Sequence, residues 1–234
     1  EEYALVDVIP KECNNILPVR KFGKGSVMML YADTRFRDIE MNDFIIKQIV
    51  KIIGNSLLCL MRNNLYYFDL KISNILFRCL DGKTIEIFLA DLGSMIADKD
   101  GDYPATFPPI EYMQRSDGKS YDAQLYKTQS DTQFDNDHKN GYINLQNMTP
   151  LDIEKAYVWL LSILYIELKS ISSQNFSDLR YDLYNNMTFN GNYFYYTQTV
   201  NKFNQNKYLP PPIRYVFENS KENRYKLQEF LDML

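Results

Sequence analysis

Asp69, Lys71 and Asn74 stand in a short polar loop, Tyr67-Phe68-Asp69-Leu70-Lys71-Ile72-Ser73-Asn74, between an apolar run of helical spacing and the strand-like run Ile75-Leu76-Phe77. A second carboxylate, in Asp91-Leu92-Gly93, closes the next strand-like run, Thr84-Ile85-Glu86-Ile87-Phe88-Leu89. Two carboxylates, an amide and an ammonium therefore meet in one small volume if the residues between them form a hairpin. Asp81-Gly82 is the turn signal such a hairpin needs. No other feature constrains the fold of this chain as strongly.

Phosphoryl transfer is the chemistry that uses this set. One carboxylate orients an attacking hydroxyl, a second carboxylate and an amide oxygen hold Mg²⁺ against phosphates, and a lysine offsets charge on the moving group. A D-x-K-x-x-N or a D-L-G alone arises easily by chance; their order and the hairpin between them give the pair its weight. The loop resembles the protein-kinase catalytic loop H-R-D-L-K-x-x-N, and Asp91-Leu92-Gly93 resembles D-F-G. Tyr67 and Phe68 stand where that family has His and Arg, and Leu92 where it has Phe.

The resemblance implies an α+β, protein-kinase-like fold. Residues 1–30 would be a remnant of the small β lobe and 31–234 a mainly helical large lobe, with a polar insertion at 114–150. It implies that Asp69 orients the acceptor hydroxyl, Lys71 stabilises the transferred group, and Asn74 and Asp91 bind Mg²⁺. ATP would lie with its adenine against Leu30 and Ala32, in the hinge-like run Val27-Met28-Met29-Leu30-Tyr31-Ala32-Asp33, and above Leu76. Pro109-Ile110-Glu111 resembles the A-P-E that ends an activation segment, and 223–231 resembles the run whose arginine pairs with that glutamate, so Glu111 and Arg224 are an expected structural pair. Without the resemblance, Arg224 reads as a solvated surface residue.

Two further stretches share the likeness. Tyr157-Val158-Trp159-Leu160-Leu161-Ser162-Ile163-Leu164-Tyr165-Ile166-Glu167-Leu168 resembles the central kinase helix D-V-W-S-L-G-V-L-L-Y-E-L. Its aspartate, which in the family bonds the catalytic-loop backbone beside the histidine, is Tyr157 here, so apolar packing is expected in place of that tie. Cys13-Asn14-Asn15-Ile16-Leu17-Pro18-Val19 resembles H-P-N-I-V before the fourth strand, with Glu1 or Glu2 as the preceding helix's glutamate. The glycine loop and strand-three lysine have no counterpart here, which is expected of a fragment or of a chain with almost no small lobe. Phe22-Gly23-Lys24-Gly25-Ser26-Val27 lacks a third glycine and lies too near Asp69 for a phosphate loop, so it reads as a turn between strands.

The remaining elements follow from pattern. Asn42 is a fitting N-cap for a helix over 42–61 that is buried on most sides. Residues 114–150 are polar and turn-forming, an expected loop with partial disorder; His138 lies in it as a surface residue. Weakly amphipathic helices are expected around 176–203, another from Pro210-Pro211-Pro212 toward Glu218, and a last one over 224–234.

Composition narrows the function classes. A chain of 234 residues, 45% hydrophobic, has enough apolar mass for a core. Its net charge of −4 and isoelectric point near 5.2 argue against a nucleic-acid partner. Cys13, Cys59 and Cys79, odd in number and without C-x-x-C spacing, read as buried free thiols in a reducing compartment, cytoplasmic or nuclear. No run reads as a membrane span or a leader. The abundance of Tyr and Asn fits an AT-rich genome, a parasite's or a virus's, which would place the protein in a host cell.

The first functional expectation is a Ser/Thr protein kinase acting on a protein substrate, the lysine two places after Asp69 favouring Ser/Thr acceptors by resemblance. The second is a pseudokinase-like scaffold or regulatory binding module, suggested by Tyr67, Phe68, Tyr157 and the missing lysine. The third is a small-molecule kinase of the aminoglycoside or choline type. Phe68 removes the arginine that a phosphorylated activation loop usually neutralises. Phosphatase treatment is therefore expected to leave phosphotransfer unchanged, and activity lost through a site between Gly93 and Phe107 would contradict this.

Overall fold

Thr149-Pro150-Leu151-Asp152 carries the signals that start a helix: an N-cap hydroxyl, proline at the first helical position, and an acid placed to bond back. In a computed structural model of the protein, Thr149 Oγ1 accepts the Asp152 N–H, and the Asp152 carboxylate accepts the Thr149 N–H at 3.0 Å. The structure describes residues 8–21, 27–29, 32, 39–80, 84–91, 93, 95, 102–109, 142–145, 148–173, 176–187, 193–218 and 221–234.

The described residues form a mostly helical α+β fold. Short strands β1 (Val19–Lys21) and β2 (Val27–Met29) precede helix α1 (Asp43–Arg62), and a 3₁₀ turn (Ile72–Asn74) leads into β3 (Ile75–Cys79) and β4 (Ile85–Leu89). Strands β5 (Asp102–Pro104) and β6 (Tyr142–Asn144) come before helices α2 (Pro150–Ser172), α3 (Ser177–Asn186), α4 (Tyr193–Gln205), α5 (Pro211–Glu218) and α6 (Leu227–Met233). Consecutive strands pair antiparallel in three two-stranded ladders. The β3–β4 hairpin runs from Ile75 opposite Leu89 to Cys79 opposite Ile85.

Helix α2 is the axis. Every residue from Lys155 to Leu168 is buried, as expected of a helix apolar all round. It packs against α1, α3, α5, α6 and the 3₁₀ turn. Its polar members have partners: Lys155 Nζ donates to Glu222 O at 2.8 Å, Ser162 Oγ to Val158 O at 2.8 Å, and Glu154 accepts the Leu227 N–H at 2.9 Å, capping α6.

Helix α1 begins one residue after Asn42, whose side chain accepts the Ile45 N–H at 3.0 Å. Its inner face, including Ile46, Ile49, Val50, Ile53, Leu57 and Leu60, is buried, whereas Phe44 is 67% exposed, so the helix is less enclosed than its apolar residues imply. Among the described residues it alone is long and apolar enough to cross a membrane by length and composition, and half of that stretch is buried within the protein.

Two expectations need correction. Cys13 and Cys59 are not free thiols: they form a disulfide with Cα atoms 5.5 Å apart, and the remaining cysteine, Cys79, is exposed rather than buried. The helical phase of α1 brings Cys59 beside Cys13, a proximity that a separation of 46 residues does not advertise. Part of the expected insertion is also ordered: Tyr142–Asn144 pairs with Asp102–Pro104, with Ile143 and Leu145 buried, because these apolar, β-favouring residues repay burial. Residues 114–141, with His138, and the stretches 22–26 and 81–83, where turns are expected, lie outside the described residues.

At Gly54, α1 has no room for a side chain against its neighbours. A Cβ there would lie 2.5 Å from Leu231 Cδ2 and 3.1 Å from Leu161 Cδ1. Gly54→Val is therefore expected to lower stability by about 1–3 kcal/mol through overpacking, measured by urea unfolding.

Candidate functional site

The loop from Tyr67 to Asn74 runs between α1 and the β3–β4 hairpin, and α2 holds it at two points. Near its start, the Tyr67 N–H donates to the Tyr157 hydroxyl at 3.2 Å, and the Phe68 ring stacks on Tyr157 with centroids 5.2 Å apart. Apolar packing was expected at this contact, and the Phe68–Tyr157 stack supplies it, but a hydrogen bond to a neutral phenol accompanies it. Further along, the Ile72 N–H donates to Glu167 Oε2 at 3.1 Å, and the Tyr184 hydroxyl donates to Glu167 Oε1.

Inside the loop, Tyr67 is the central tie. Its buried hydroxyl lies 3.1 Å from both Asp69 O and Ala90 O, able to donate to either, and accepts from Asn74 Nδ2 at 2.7 Å. Burial, reinforced by the Asp69 charge, holds its ionisation well above the usual tyrosine range, so it stays a donor. One hydroxyl thus joins the loop, the 3₁₀ turn and the residue preceding Asp91.

Asp69, Lys71 and Asn74 do converge. Lys71 Nζ donates to Asp69 Oδ2 at 2.6 Å, and Asn74 Nδ2 reaches Asp69 O at 2.9 Å and Asp69 Oδ2 at 3.3 Å. A fourth member escaped the sequence reading: the Thr106 hydroxyl donates to Asp69 Oδ1 and lies 3.4 Å from Lys71 Nζ. Its segment is pinned by Trp159 Nε1, which donates to Phe107 O at 3.2 Å, and by the Tyr196 hydroxyl on Pro108 O at 3.4 Å. Only Thr106's place before the Phe107-Pro108-Pro109 turn hinted at it. Glu167 was quoted only as part of a helix motif, and its bond to a backbone N–H leaves no sequence signature.

Asp91 stands exposed at the end of β4 in the left-handed backbone region, φ 57°. A non-glycine residue is uncommon there, although aspartate is among the more tolerant, and such conformations gather at functional sites. The Ala90 N–H donates to Asn74 O at 2.8 Å, closing the hairpin so that its two ends meet. These residues fit Mg²⁺, which takes oxygen ligands and commonly one or two carboxylates beside waters and phosphate. With Asn74 Nδ2 committed to Tyr67 and Asp69, Oδ1 is the amide atom left for a cation, and the Asp91 carboxylate supplies the charge. Among the described residues no group of three or more His, Cys, Asp or Glu is placed to hold a metal ion.

Ala32 and Leu76, two of the residues expected at the adenine, pack against one small apolar cluster, Leu17, Phe88 and Ala90, directly before Asp91. Leu30 lies outside the described residues, as does Glu111. Arg224 is not solvated: it is buried, its guanidinium lies 4.7 Å from the Trp159 ring centroid, and Nε donates to Val216 O at 3.4 Å. No protein-family model matches the chain, and no curated protein sequence does.

Burial raises Glu167 from 4.5 to about 7, against the lowering effects of Tyr184, the Ile72 N–H, Arg180 and Lys71. Between those two pH values the folded protein binds this proton more readily than the unfolded chain, so the contribution of Glu167 to stability falls as pH rises through that window. Glu167→Gln, which keeps an acceptor for Ile72, is expected to flatten that part of the stability profile, followed by urea unfolding from pH 5 to 8. Glu167→Ala leaves the Ile72 N–H without its acceptor and is expected to cost about 1–3 kcal/mol.

Proposed function

We propose that this chain is a divergent protein-kinase-like phosphotransferase of Ser/Thr type, moving the γ-phosphate of ATP to a protein hydroxyl, and that its described helices and hairpin correspond to the large lobe of that fold. The observation that carries the reading is the Thr106 hydroxyl, an alcohol that donates to Asp69 while lying within reach of Lys71. This supports the reading, because an acceptor alcohol in phosphotransfer needs a carboxylate to take its proton and a cation nearby.

In this reading the acceptor hydroxyl approaches Asp69, which takes the proton as the acceptor oxygen bonds the γ-phosphorus. The bond from that phosphorus to the β–γ bridging oxygen breaks, and its electron pair leaves with ADP. Lys71, 2.6 Å from Asp69, offsets negative charge on the group in transit. Mg²⁺ held by Asn74 and Asp91 would screen the phosphate charges. Ala32 and Leu76 offer apolar surface to the adenine. Glu167 and Tyr157 act as positioning residues, since they hold the loop's backbone and need not touch the substrate.

The competing reading is a scaffold or regulatory binding module, favoured by Tyr67, Phe68 and Tyr157 standing where the resembled family has His, Arg and Asp. A scaffold has no need of Asp69, Lys71, Asn74 and Asp91 arranged together, so the two readings differ in nucleotide binding. Thermal unfolding with ATP, with and without Mg²⁺, tests this. A ligand at 100 times its dissociation constant adds about 2.7 kcal/mol, a rise of roughly 5–10 °C for a domain of this size. The rise is expected only with Mg²⁺ and is expected to vanish in Asp91→Ala; its absence from the wild type would favour the scaffold. Asp69→Asn is expected to keep the rise and to lower transfer to a generic protein substrate by about 10²–10⁴-fold. Transfer to small alcohols instead of protein would point to a small-molecule kinase.

A further inference from the structure

The Cys13–Cys59 disulfide joins the segment ahead of β1 to the last turns of α1, and the residues just after Cys13 lead straight to the site. The Asn14 carbonyl accepts from Ser56 Oγ at 3.0 Å. Asn15, in the left-handed region at φ 63°, donates from Nδ2 to Ile87 O at 3.0 Å, and its carbonyl accepts the Leu89 N–H at 2.8 Å. Ile16 bridges parallel to Leu89, and the Leu17 N–H donates to Leu89 O at 2.8 Å. Residues 14–17 therefore line the free edge of β4.

Strand β4 ends at the corner between Asn74 and Asp91. The Ala90 N–H donates to Asn74 O, the Ala90 carbonyl lies against the Tyr67 hydroxyl, and Asp91 follows. The path from the disulfide to Asp91 is thus a run of backbone hydrogen bonds from one short segment to one short strand. Among the described residues, the polar ties of 13–17 to α1 and its C-cap besides the disulfide are the Ser56 bond and a 3.9 Å contact from Asn63 Nδ2 to Cys13 Sγ.

The link is also within reach of solvent. A cavity of about 520 Å³ beside it is lined by Cys59 together with Asn14, Asn15, Ser56, Arg62 and Asn63. A small dithiol entering there can attack one sulfur, form a mixed disulfide and close on itself. Two electrons and two protons then pass to Cys13 and Cys59, which become thiols, while the dithiol becomes a disulfide.

We propose that the Cys13–Cys59 pair is a redox-controlled staple for the corner that holds Asp91. Oxidised, it keeps 13–17 on the edge of β4 and so orders 84–91; reduced, that edge loosens and the corner loses order. The ordering stands apart from phosphotransfer, whereas its effect on nucleotide rests on the proposed function.

The test compares the air-oxidised chain with the same chain fully reduced by dithiothreitol, at a temperature where both are folded by circular dichroism. Thiol titration is expected to give one reactive thiol before reduction, Cys79, and three after. Hydrogen exchange in peptides covering 13–17 and 84–91 is expected to speed at least tenfold on reduction, with α2 unchanged, and the dissociation constant of Mg·ATP to rise at least fivefold. A Cys13→Ser, Cys59→Ser double variant is expected to match the reduced chain and to ignore dithiothreitol; the wild-type comparison stands alone if that variant does not fold. Three thiols before reduction would overturn the proposal. So would unchanged exchange at 84–91 with only a lower thermal midpoint, the mark of a purely structural crosslink. Faster exchange at 84–91 with no Mg·ATP binding in either state would uphold the staple and sink the phosphotransfer reading.

Discussion

The site depends on α2 holding the 67–74 loop at two points, the Tyr157 hydroxyl and the Glu167 carboxylate. They are ten residues apart, about 15 Å along a helix. The intervening turns of α2 are buried on all sides, so the two supports cannot shift independently of the core. Asp69 and Lys71 lie between the supported positions, and their mutual bond is oriented by a backbone already held in place. The loop is thereby pre-organised by the core.

The chemistry of the supports differs. Tyr157 and Tyr67 tie the loop through neutral groups, and a buried phenol with satisfied partners avoids the cost of burying an ion. Glu167 is the exception, a fully buried carboxyl receiving two donors. Burial raises its pKa against the lowering effect of those donors, which leaves the loop's second support sensitive to protons. Tyr184 extends that support outward: its ring packs edge-on against Phe107 at 5.2 Å, and Phe107 is held by Trp159. The loop and the Thr106 segment therefore share one scaffold.

Much of this was legible before any coordinates. Asn42 announces α1, Asp81-Gly82 between apolar runs announces the hairpin, and the hairpin brings Asn74 and Asp91 together. The start of α2 was missed, although Thr149-Pro150 and Asp152 signal it, because the polar residues before it read as one long loop. Tyr142-Ile143 was absorbed into that loop too, since a three-residue strand has no periodicity to read and needs its partner at 102–104 to exist.

The sequence by itself determined the local elements and which groups share the loop, because helix caps, turn residues and apolar spacing act over a few residues. Tertiary structure decided the partners: Cys59 for Cys13, Thr106 for Asp69, Tyr157 for Tyr67, Glu167 for Ile72. Each joins positions 37 to 95 residues apart. Their meeting is set by how helices pack around α2, and a contact made by a backbone N–H or a lone hydroxyl requires nothing particular of the residues near it in sequence.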